Sequence, residues 1–344
     1  MFEDNIPSTF HLLKLPLLAC EEILRQMEPL ELFDISQCSK KLRSLVKLFT
    51  NFKDYRLEFI AGKSYTIYMY SRRTLYWNFT IRSTQKRIPP GELSIRQVGK
   101  FKEIASQKNS RLLTMYWNST FLGAQEIVKE LWDLFSVRIE VLTIDIDKLM
   151  IEYGLLLEFL VSLNYNFKKI GIFGYEATIS PEEYSKTLRL HSKNMNLAAR
   201  TTSNFRAFKL QVHAEDLKIG DAHWVTFDNL MGMKTCVTVV LDNMTLSFQK
   251  VNLFIKKLIK GSHPNLEYIK MVFPEGIDFQ ALSRDIEFAE EDRDRVYRRE
   301  DVEIESIPGY RFQLDDGSTG TFIFNGGQFI TDFGIILWRE GNQQ

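Results

Sequence analysis

Residues 15–27 read Leu15-Pro-Leu-Leu-Ala-Cys-Glu-Glu-Ile-Leu-Arg-Gln-Met27, and this stretch decides the architecture of the N-terminal part of the chain. Pro16 suits the first turn of a helix, because the N–H that proline lacks has no intrahelical partner there. The apolar residues that follow recur at helical spacing: Cys20, Ile23, Leu24 and Met27. The stretch therefore predicts a short amphipathic helix.

Two further helices follow within residues 28–50. Pro29 opens the first of them, which carries Leu32 and Ile35. The second has apolar residues three, four and seven positions apart: Leu42, Leu45, Val46 and Phe49. A module of this size, with so much apolar surface, would be marginally stable alone. We therefore expect part of that surface to meet a partner.

Beyond Tyr55 the apolar pattern changes to a period of two, which indicates strands up to about Arg82. Further short apolar strands are predicted to start at Leu112, Ile139, Lys169, Phe205, Val237 and Leu266. These starts lie 27–36 residues apart, within the range of solenoid repeats. Helices are predicted in several of the gaps, at Ala124–Phe135, Tyr153–Leu163 and Ser247–Ile259. Another helix is predicted to start after Ser180, which would cap its N-terminus.

The expected fold class is α+β. An N-terminal three-helix module is followed by a larger α/β domain, either a leucine-rich-repeat-like solenoid or an open mixed sheet. The expected boundaries are a helical module at 8–50, a strand-rich connection at 51–90 and the larger domain at 91–340. Within that domain, Arg284 to Glu303 is mostly charged, which favours a solvated helix or loop. A hairpin is predicted around Asp316-Gly317, with a closing strand that ends at Trp338.

Composition and motifs argue against the enzyme classes that linear sequence motifs mark. The 44 acidic and 44 basic residues balance, which removes the electrostatic argument for nucleic acid or membrane as a partner. Three scattered cysteines indicate neither a disulfide framework nor a zinc site. No phosphate-binding glycine motif, nucleophile elbow or metalloprotease motif is present. His213 and His223 match no zinc spacing. We expect no enzyme activity, no cofactor and no metal.

Residues Phe10 to Val46 resemble the F-box. The matching residues are Leu13, Leu15-Pro16, Ile23-Leu24, Met27, Leu32, Ile35 and Cys38-Ser39-Lys40-Lys41-Leu42-Arg43. The family pattern is a Leu-Pro pair that opens a helix, a later Ile-Leu pair, a leucine in the next turn, and Ser-Lys before a basic and apolar helix. All of these occur here in order.

The C-terminal part resembles the F-box-associated domain type 2 of nematode families. The matching segments are Trp224 to Leu230, Asn252 to Lys257, Ile259 to Gly261, Leu266, and the late Asp316-Gly317 hairpin with Trp338. Leu258 stands where that family is expected to have tryptophan. Both residues are large and apolar, so we expect the same fold.

The resemblance implies a non-catalytic adaptor of an SCF-type (cullin–RING) ubiquitin ligase. The F-box would bind the Skp adaptor subunit, and the C-terminal domain would bind an unknown target protein. The residues that the resemblance assigns to adaptor binding are Leu15, Pro16, Ile23, Leu24, Met27, Leu32, Ser39 and Lys40. Leu15 and Pro16 are the favoured contacts. A non-ligase scaffold, or an enzyme with an unrecognised site, stays open as an alternative.

An intracellular location, in the cytoplasm or the nucleus, is expected. Glu3 and Asp4 stand where a signal peptide would carry positive charge, and Lys14 and Pro16 interrupt the apolar run. Few cysteines fit a reducing compartment.

Overall fold

The computed structural model describes residues 12–71, 76–85, 88, 93–149, 153–202, 205–206, 212–291, 296–299, 302–305, 309–325 and 331–338. The chain divides into two compact units, Met1–Ile139 and Glu140–Gln344. The domain boundaries expected from the sequence, near residues 50 and 90, were drawn from motifs and not from contacts. They remain a prediction.

Unit 1 combines three short helices with a six-stranded sheet and a longer helix. Its helices, after a 3-10 turn at Leu12–Lys14, are α1 (Leu17–Gln26), α2 (Pro29–Cys38), α3 (Lys40–Phe49) and α4 (Thr120–Phe135). Its strands are β1 (Tyr55–Ala61), β2 (Tyr65–Ser71), β3 (Tyr76–Ser83), β4 (Ser94–Val98), β5 (Phe101–Lys108) and β6 (Leu112–Trp117). The strand order is β1-β2-β3-β6-β5-β4, antiparallel except for the β3–β6 pair.

Local sequence explains where α2 and α3 begin. Pro29 occupies the first turn of α2, and Glu28 and Glu31 form a reciprocal capping box there. The Ser39 hydroxyl accepts a hydrogen bond from the Leu42 N–H at the start of α3. These caps separate α2 from α3 with a single residue between them, which makes the module compact. The predicted three-helix arrangement is confirmed.

Helix α4 covers the sheet of unit 1 and also contacts α3. Gly123 allows its close approach, because a Cβ there would lie 2.6 Å from the Trp117 ring and 2.9 Å from Ile81. The rings of Phe33 on α2 and Phe79 on β3 pack edge to face, with centroids 5.5 Å apart. The N-terminal helices and the sheet therefore share one core.

Unit 2 is built on a mixed sheet of ten strands, of which β7 begins at the last residue of unit 1. The strands that alternate with helices are β7 (Ile139–Asp145), β8 (Phe167–Ile179), β9 (Ser192–Thr201), β10 (Ala214–Ile219), β11 (Thr238–Leu241) and β12 (Tyr268–Val272). The helices are α5 (Tyr153–Leu163), α6 (Pro181–Leu188), α7 (Phe227–Gly232), α8 (Phe248–Ile259) and α9 (Phe279–Ser283). The later strands are β13 (Ala289–Glu291), β14 (Val296–Arg299), β15 (Val302–Glu305), β16 (Gly309–Gln313), β17 (Thr319–Asn325) and β18 (Asp332–Trp338).

The strand order in this sheet is β13-β16-β17-β18-β12-β11-β10-β9-β8-β7. From β7 to β12 each strand is parallel to the one before it and lies beside it. Antiparallel strands then extend the same sheet. The predicted α+β class, with a large mixed-sheet domain, is confirmed. The leucine-rich-repeat-like description of the parallel part stays a prediction.

Two sequence-based expectations in unit 2 need correction. The charged segment from Arg284 to Glu303 was expected to be a solvated helix or loop, but its described residues include β13, β14 and part of β15. It forms strands because Tyr297 is buried against Tyr268, with ring centroids 5.8 Å apart. The strand expected from Phe205 is not seen at Phe205 and Arg206, and its remaining positions lie outside the described residues.

A buried histidine gives unit 2 a pH-dependent stability. His263 is 1% exposed, and its ring nitrogens lie 3.0 Å from the Leu230 carbonyl and 2.8 Å from the Ser262 hydroxyl. Burial lowers the pKa of His263, and the charge of Lys234 adds to the shift, against the Leu230 hydrogen bond. The folded chain therefore favours the neutral imidazole.

The free energy of unfolding is expected to fall as pH drops from 7.5 to 5.5. The pKa of His263 is lower in the folded chain than its unfolded value of about 6.5. Its contribution to the free energy of unfolding is therefore complete above about pH 6.5 and is lost as the pH falls below that value. Urea denaturation at the two pH values measures this change. His263→Gln should reduce the pH dependence, and a wild-type chain that gained stability on acidification would contradict the assignment.

Candidate protein-interaction sites

The structure separates the eight residues assigned to adaptor binding into three groups. Pro16 and Lys40 are exposed, whereas Leu24 and Leu32 are buried at 0% and 1% exposure. The partly exposed residues are Leu15, Ile23, Met27 and Ser39. Leu24 and Leu32 thus belong to the core of unit 1 in this structure, and their role in adaptor binding stays an untested prediction.

Four leucines of the helical module are exposed to solvent, and we call them the exposed leucines: Leu13, Leu17, Leu18 and Leu48. The first turn of α1 presents Leu17 and Leu18, which are 59% and 76% exposed. Leu48 lies on α3, which packs against α1, and is 68% exposed. Sequence reasoning missed the last three, because a helical period groups apolar residues without showing which group faces solvent. Neighbouring exposed apolar side chains, as at Leu17 and Leu18, mark interaction surfaces.

Charged side chains hold the helical module against the rest of unit 1. Arg43 on α3 contacts Glu130 at 2.7 Å and Asp133 at 2.5 Å on α4, and Lys47 contacts Asp133 at 2.6 Å. Asp34 on α2 pairs with Arg96 of β4 and lies 2.6 Å from Lys108 of β5. The exposed leucines are therefore presented by a module that is fixed in place.

The ion pairs of Arg43 shift the pKa values of both partners. Burial opposes the charge on Arg43, but hydrogen bonds to Asp133 and Glu130 outweigh it and raise the pKa of the guanidinium. Burial likewise acts against the Asp133 carboxylate, and hydrogen bonds from Lys47 and Arg43 lower its pKa overall. Both groups stay charged at neutral pH, so the contact is an ion pair.

Arg43→Ala is expected to lower the free energy of unfolding of the chain by about 1–3 kcal/mol, because it leaves the largely buried Glu130 without its cation. The matched control is Arg25→Ala, which removes an exposed pair with Glu21 on α1 and should cost about 0.5 kcal/mol or less. Chemical denaturation followed by circular dichroism compares the two variants. Equal effects would show that the α3–α4 ion pairs add no stability.

One face of the parallel sheet in unit 2 carries polar side chains. In β9 the burial alternates, so that Met195 and Leu197 are buried and Asn194 and Asn196 face the other side. Register places Lys169 of β8 beside Asn194, and Lys218 of β10 beside Asn196. We call this surface the polar sheet face: Lys169, Asn194, Asn196, Asp216, Lys218 and Thr238. It lines a groove of about 330 Å³ that Arg299 also borders.

The hairpin β14–β15 forms a wall at one side of the polar sheet face. The Arg299 guanidinium lies 3.3 Å from both Asp216 and Glu267 and 3.6 Å from Glu215. The Tyr297 hydroxyl donates a hydrogen bond to Glu267 at 3.2 Å. Burial, reinforced by the Glu267 charge, raises the pKa of Tyr297. This phenol stays neutral and anchors the hairpin.

A second polar cleft, of about 640 Å³, lies at the carboxyl ends of β8 to β10. Its acidic residue Asp221 accepts hydrogen bonds from the Thr201 N–H at 2.9 Å and from Asn243 at 2.8 Å, and lies 2.9 Å from His223. Burial opposes ionisation of Asp221, but the hydrogen bonds lower its pKa overall. With its acceptor oxygens engaged, Asp221 organises the strand ends.

The groups that sequence reasoning weighed for chemistry are not brought together. His213 stacks on His191 at the amino ends of β9 and β10, with ring centroids 4.3 Å apart, whereas His223 follows the carboxyl end of β10. Burial raises the pKa of the Cys236 thiol to about 12, so the thiolate is not formed at neutral pH. Within the described ranges, no group of three or more His, Cys, Asp or Glu residues could hold a metal ion.

Within the same ranges, no helix has the length and apolar character to cross a membrane. The features that the described residues do present are an exposed apolar surface in unit 1 and polar clefts in unit 2. Both suit binding.

Comparison with protein families finds two matches. Residues 12–54 match the F-box domain, which covers the 3-10 turn and α1 to α3. Residues 203–271 match the family described as F-box associated, which covers β10 to most of β12. The two matches confirm the resemblances inferred from the sequence.

Related curated proteins come from Caenorhabditis elegans. The Skn-1 dependent zygotic transcript 15 protein is 23% identical over 286 residues, which cover 78% of this chain and 80% of that protein. One uncharacterized protein is 21% identical, and the match covers 98% of this chain and 79% of that protein. A second uncharacterized protein is 20% identical, and the match covers 92% of this chain and 75% of that protein. No solved structure matches the chain significantly.

Proposed function

Because the chain carries an F-box domain and an F-box associated domain, we propose that it is the target-recognition subunit of an SCF-type ubiquitin ligase. In this proposal helices α1 to α3 bind the Skp adaptor subunit, which links them to the cullin and its RING protein. Unit 2 binds the target protein. The chain needs no catalytic residue of its own, because it acts by raising the concentration of target lysines near the ubiquitin-conjugating enzyme.

The observation that carries the proposal is the position of the exposed leucines in the F-box segment. Leu17 and Leu18 stand on the first turn of α1, immediately after Pro16, and Leu48 stands on the neighbouring α3. Covering each leucine with a partner contributes up to about 1.5–3 kcal/mol. The apolar side chains and their place in the F-box together support adaptor binding here.

The exposure of individual residues refines the proposed contact set. Pro16, Leu17 and Leu18 form its centre, because their side chains are open to solvent before binding. Leu15, Ile23, Met27 and Ser39 are partly exposed and lie at its margin, with Lys40 as a polar rim. Leu24 and Leu32 support the contact from the core.

A ligase subunit of this kind works inside the cell, so the proposal includes a cytoplasmic or nuclear location. It also keeps residues 8–50 as the adaptor-binding domain and 91–340 as the target-binding domain, joined by 51–90. Residues 51–90 then have a second role, because β1 to β3 belong to the sheet that supports the helical module.

Assembly of the ligase from purified parts tests the proposal. The full chain is mixed with a cullin–RING complex, with and without the Skp adaptor, and the mixture is separated by size exclusion. We expect the chain to enter the cullin peak only when the adaptor is present. A chain that binds the adaptor but never enters the cullin peak would support the scaffold alternative, and a chain that binds neither would refute the F-box role.

A further inference from the structure

The polar sheet face of unit 2 has the geometry of a peptide-binding surface. Asn194 and Asn196 lie two residues apart on β9 and face the same side, so their Cα atoms are separated by about 6.6 Å along the strand. An extended peptide presents the N–H and C=O of every second residue along one edge, at the same interval. Each carboxamide offers both donors and an acceptor, which matches those groups.

The oxygen of Asn196 shows that this surface is incomplete in the free chain. Asn196 Oδ1 is inaccessible to solvent and accepts no hydrogen bond from any residue that the structure describes. A polar atom removed from water without a partner costs free energy. A rotation of the Asn196 side chain would bring this oxygen to a ligand N–H over β9, so the cost is relieved on binding.

Lysine side chains on both sides of β9 indicate an acidic ligand. Lys169 flanks Asn194 from β8, and Lys218 flanks Asn196 from β10. Within the part of the chain that the structure describes, Lys169 makes no ion pair and Lys218 has only a 3.9 Å contact with Asp242. The carboxylate of the face, Asp216, is already engaged by Thr238 at 2.7 Å and by Arg299. The two accessible lysines therefore favour acidic side chains.

The arrangement also fits the alternation of an extended chain. When one edge of such a peptide faces β9, its successive side chains point to opposite sides, one towards β8 and the next towards β10. Lys169 and Lys218 stand on these two sides. Arg299, on the hairpin β14–β15, borders the same groove beyond β10. The hairpin therefore limits the ligand to the surface above β8 to β10.

We propose that the polar sheet face binds an acidic, extended segment of a target protein along β9. Asn194 and Asn196 hold its main chain, and Lys169 and Lys218 pair with its carboxylates. The identification of the ligand as a target rests on the proposed ligase function, whereas the binding of an acidic peptide does not.

A display library of random octapeptides, panned against the full chain, tests this proposal. We expect recovered peptides to be enriched in Asp and Glu, and to bind in a salt-dependent manner. The pooled peptides are then titrated by fluorescence anisotropy against Lys169→Glu/Lys218→Glu and against Asn196→Leu. Each variant should weaken binding at least about tenfold. The charge-matched control Lys250→Glu/Lys257→Glu, on α8, should bind as the wild type does.

Asn196→Leu has a second readout that separates binding from folding. Because Asn196 Oδ1 has no partner among the described residues of the free chain, the variant should melt at the same temperature as the wild type or higher. Recovery of neutral or basic peptides, no enrichment, or binding unaffected by both variants would overturn the proposal.

The same preparation is titrated with the Skp adaptor. Adaptor binding without acidic-peptide binding would refute only the peptide site. Peptide binding without adaptor binding would support the site and refute the ligase role.

Discussion

Replacing Leu17 and Leu18 together by alanine is expected to weaken binding of the Skp adaptor at least about 100-fold. Both side chains are exposed in the free chain and would be buried in the complex. Truncation of each removes about 1.5 kcal/mol or more of apolar contact, and about 2.7 kcal/mol corresponds to a 100-fold change in Kd. Isothermal titration calorimetry against the purified adaptor measures the difference.

This double variant should fold normally, because neither leucine contributes to the core of unit 1. Its denaturation midpoint is therefore expected to stay within experimental error of the wild type. The control is Leu253→Ala, which truncates a leucine of α8 that is 45% exposed but lies in unit 2. The control should bind the adaptor normally, and an equal loss of affinity in both proteins would exclude α1 as the contact.

Trp224→Ala is expected to lower the free energy of unfolding by about 3–5 kcal/mol. Trp224 is 2% exposed, and its ring packs against Phe205 and Tyr184 with centroids 5.0 and 5.2 Å away. Its indole N–H has no hydrogen-bond partner in the described part of the chain, so the loss comes from packing alone. Urea denaturation followed by far-ultraviolet circular dichroism measures it.

The matched control for this prediction is Trp132→Ala on α4. Trp132 is partly exposed and lies under Arg138, with the guanidinium 4.8 Å from the ring centroid. Its truncation should cost about 1 kcal/mol or less. If the two alanine variants were equally stable, the aromatic cluster around Trp224 would not be a core of unit 2.

The elements that sequence reasoning predicted well carry their signals locally. Pro29 and Ser39 mark the starts of α2 and α3, and Ser180, with Pro181 and Glu183, marks the start of α6 through a capping box. Gly261, at a φ of +75°, follows the end of α8 at Ile259, which is where the sequence predicted the helix to end. Caps and turns act within a few residues of the chain, so they can be read without the fold.

The elements that sequence reasoning missed depend on distant contacts. Strand β9 contains Asn194 and Asn196, a residue type depleted in strands, and it forms because β8 and β10 pair with it on both sides. The hairpin β14–β15 lies in a charged segment, and Tyr297 and Arg299 fix it through Tyr268, Asp216 and Glu267. Neither set of partners is visible from local spacing.

The position of the F-box segment was predicted from the sequence, whereas the exposure of its individual residues was not. The Leu15-Pro16 pattern located the F-box correctly, as the family match shows. The same pattern could not separate Leu18 from Leu24, because both are leucines on one helix and only packing makes one exposed and the other buried. Exposure is set by α2, α3 and the sheet beneath them.

Titration of the wild-type full chain with the purified Skp adaptor tests the central claim most directly. The account predicts a one-to-one complex with a Kd of about 1 µM or below, seen by calorimetry and as a single peak of the summed mass by light scattering. Absence of a complex with adaptor at about 100 µM would contradict it. The exposed leucines would then serve some other partner, and the chain would not be a ligase subunit.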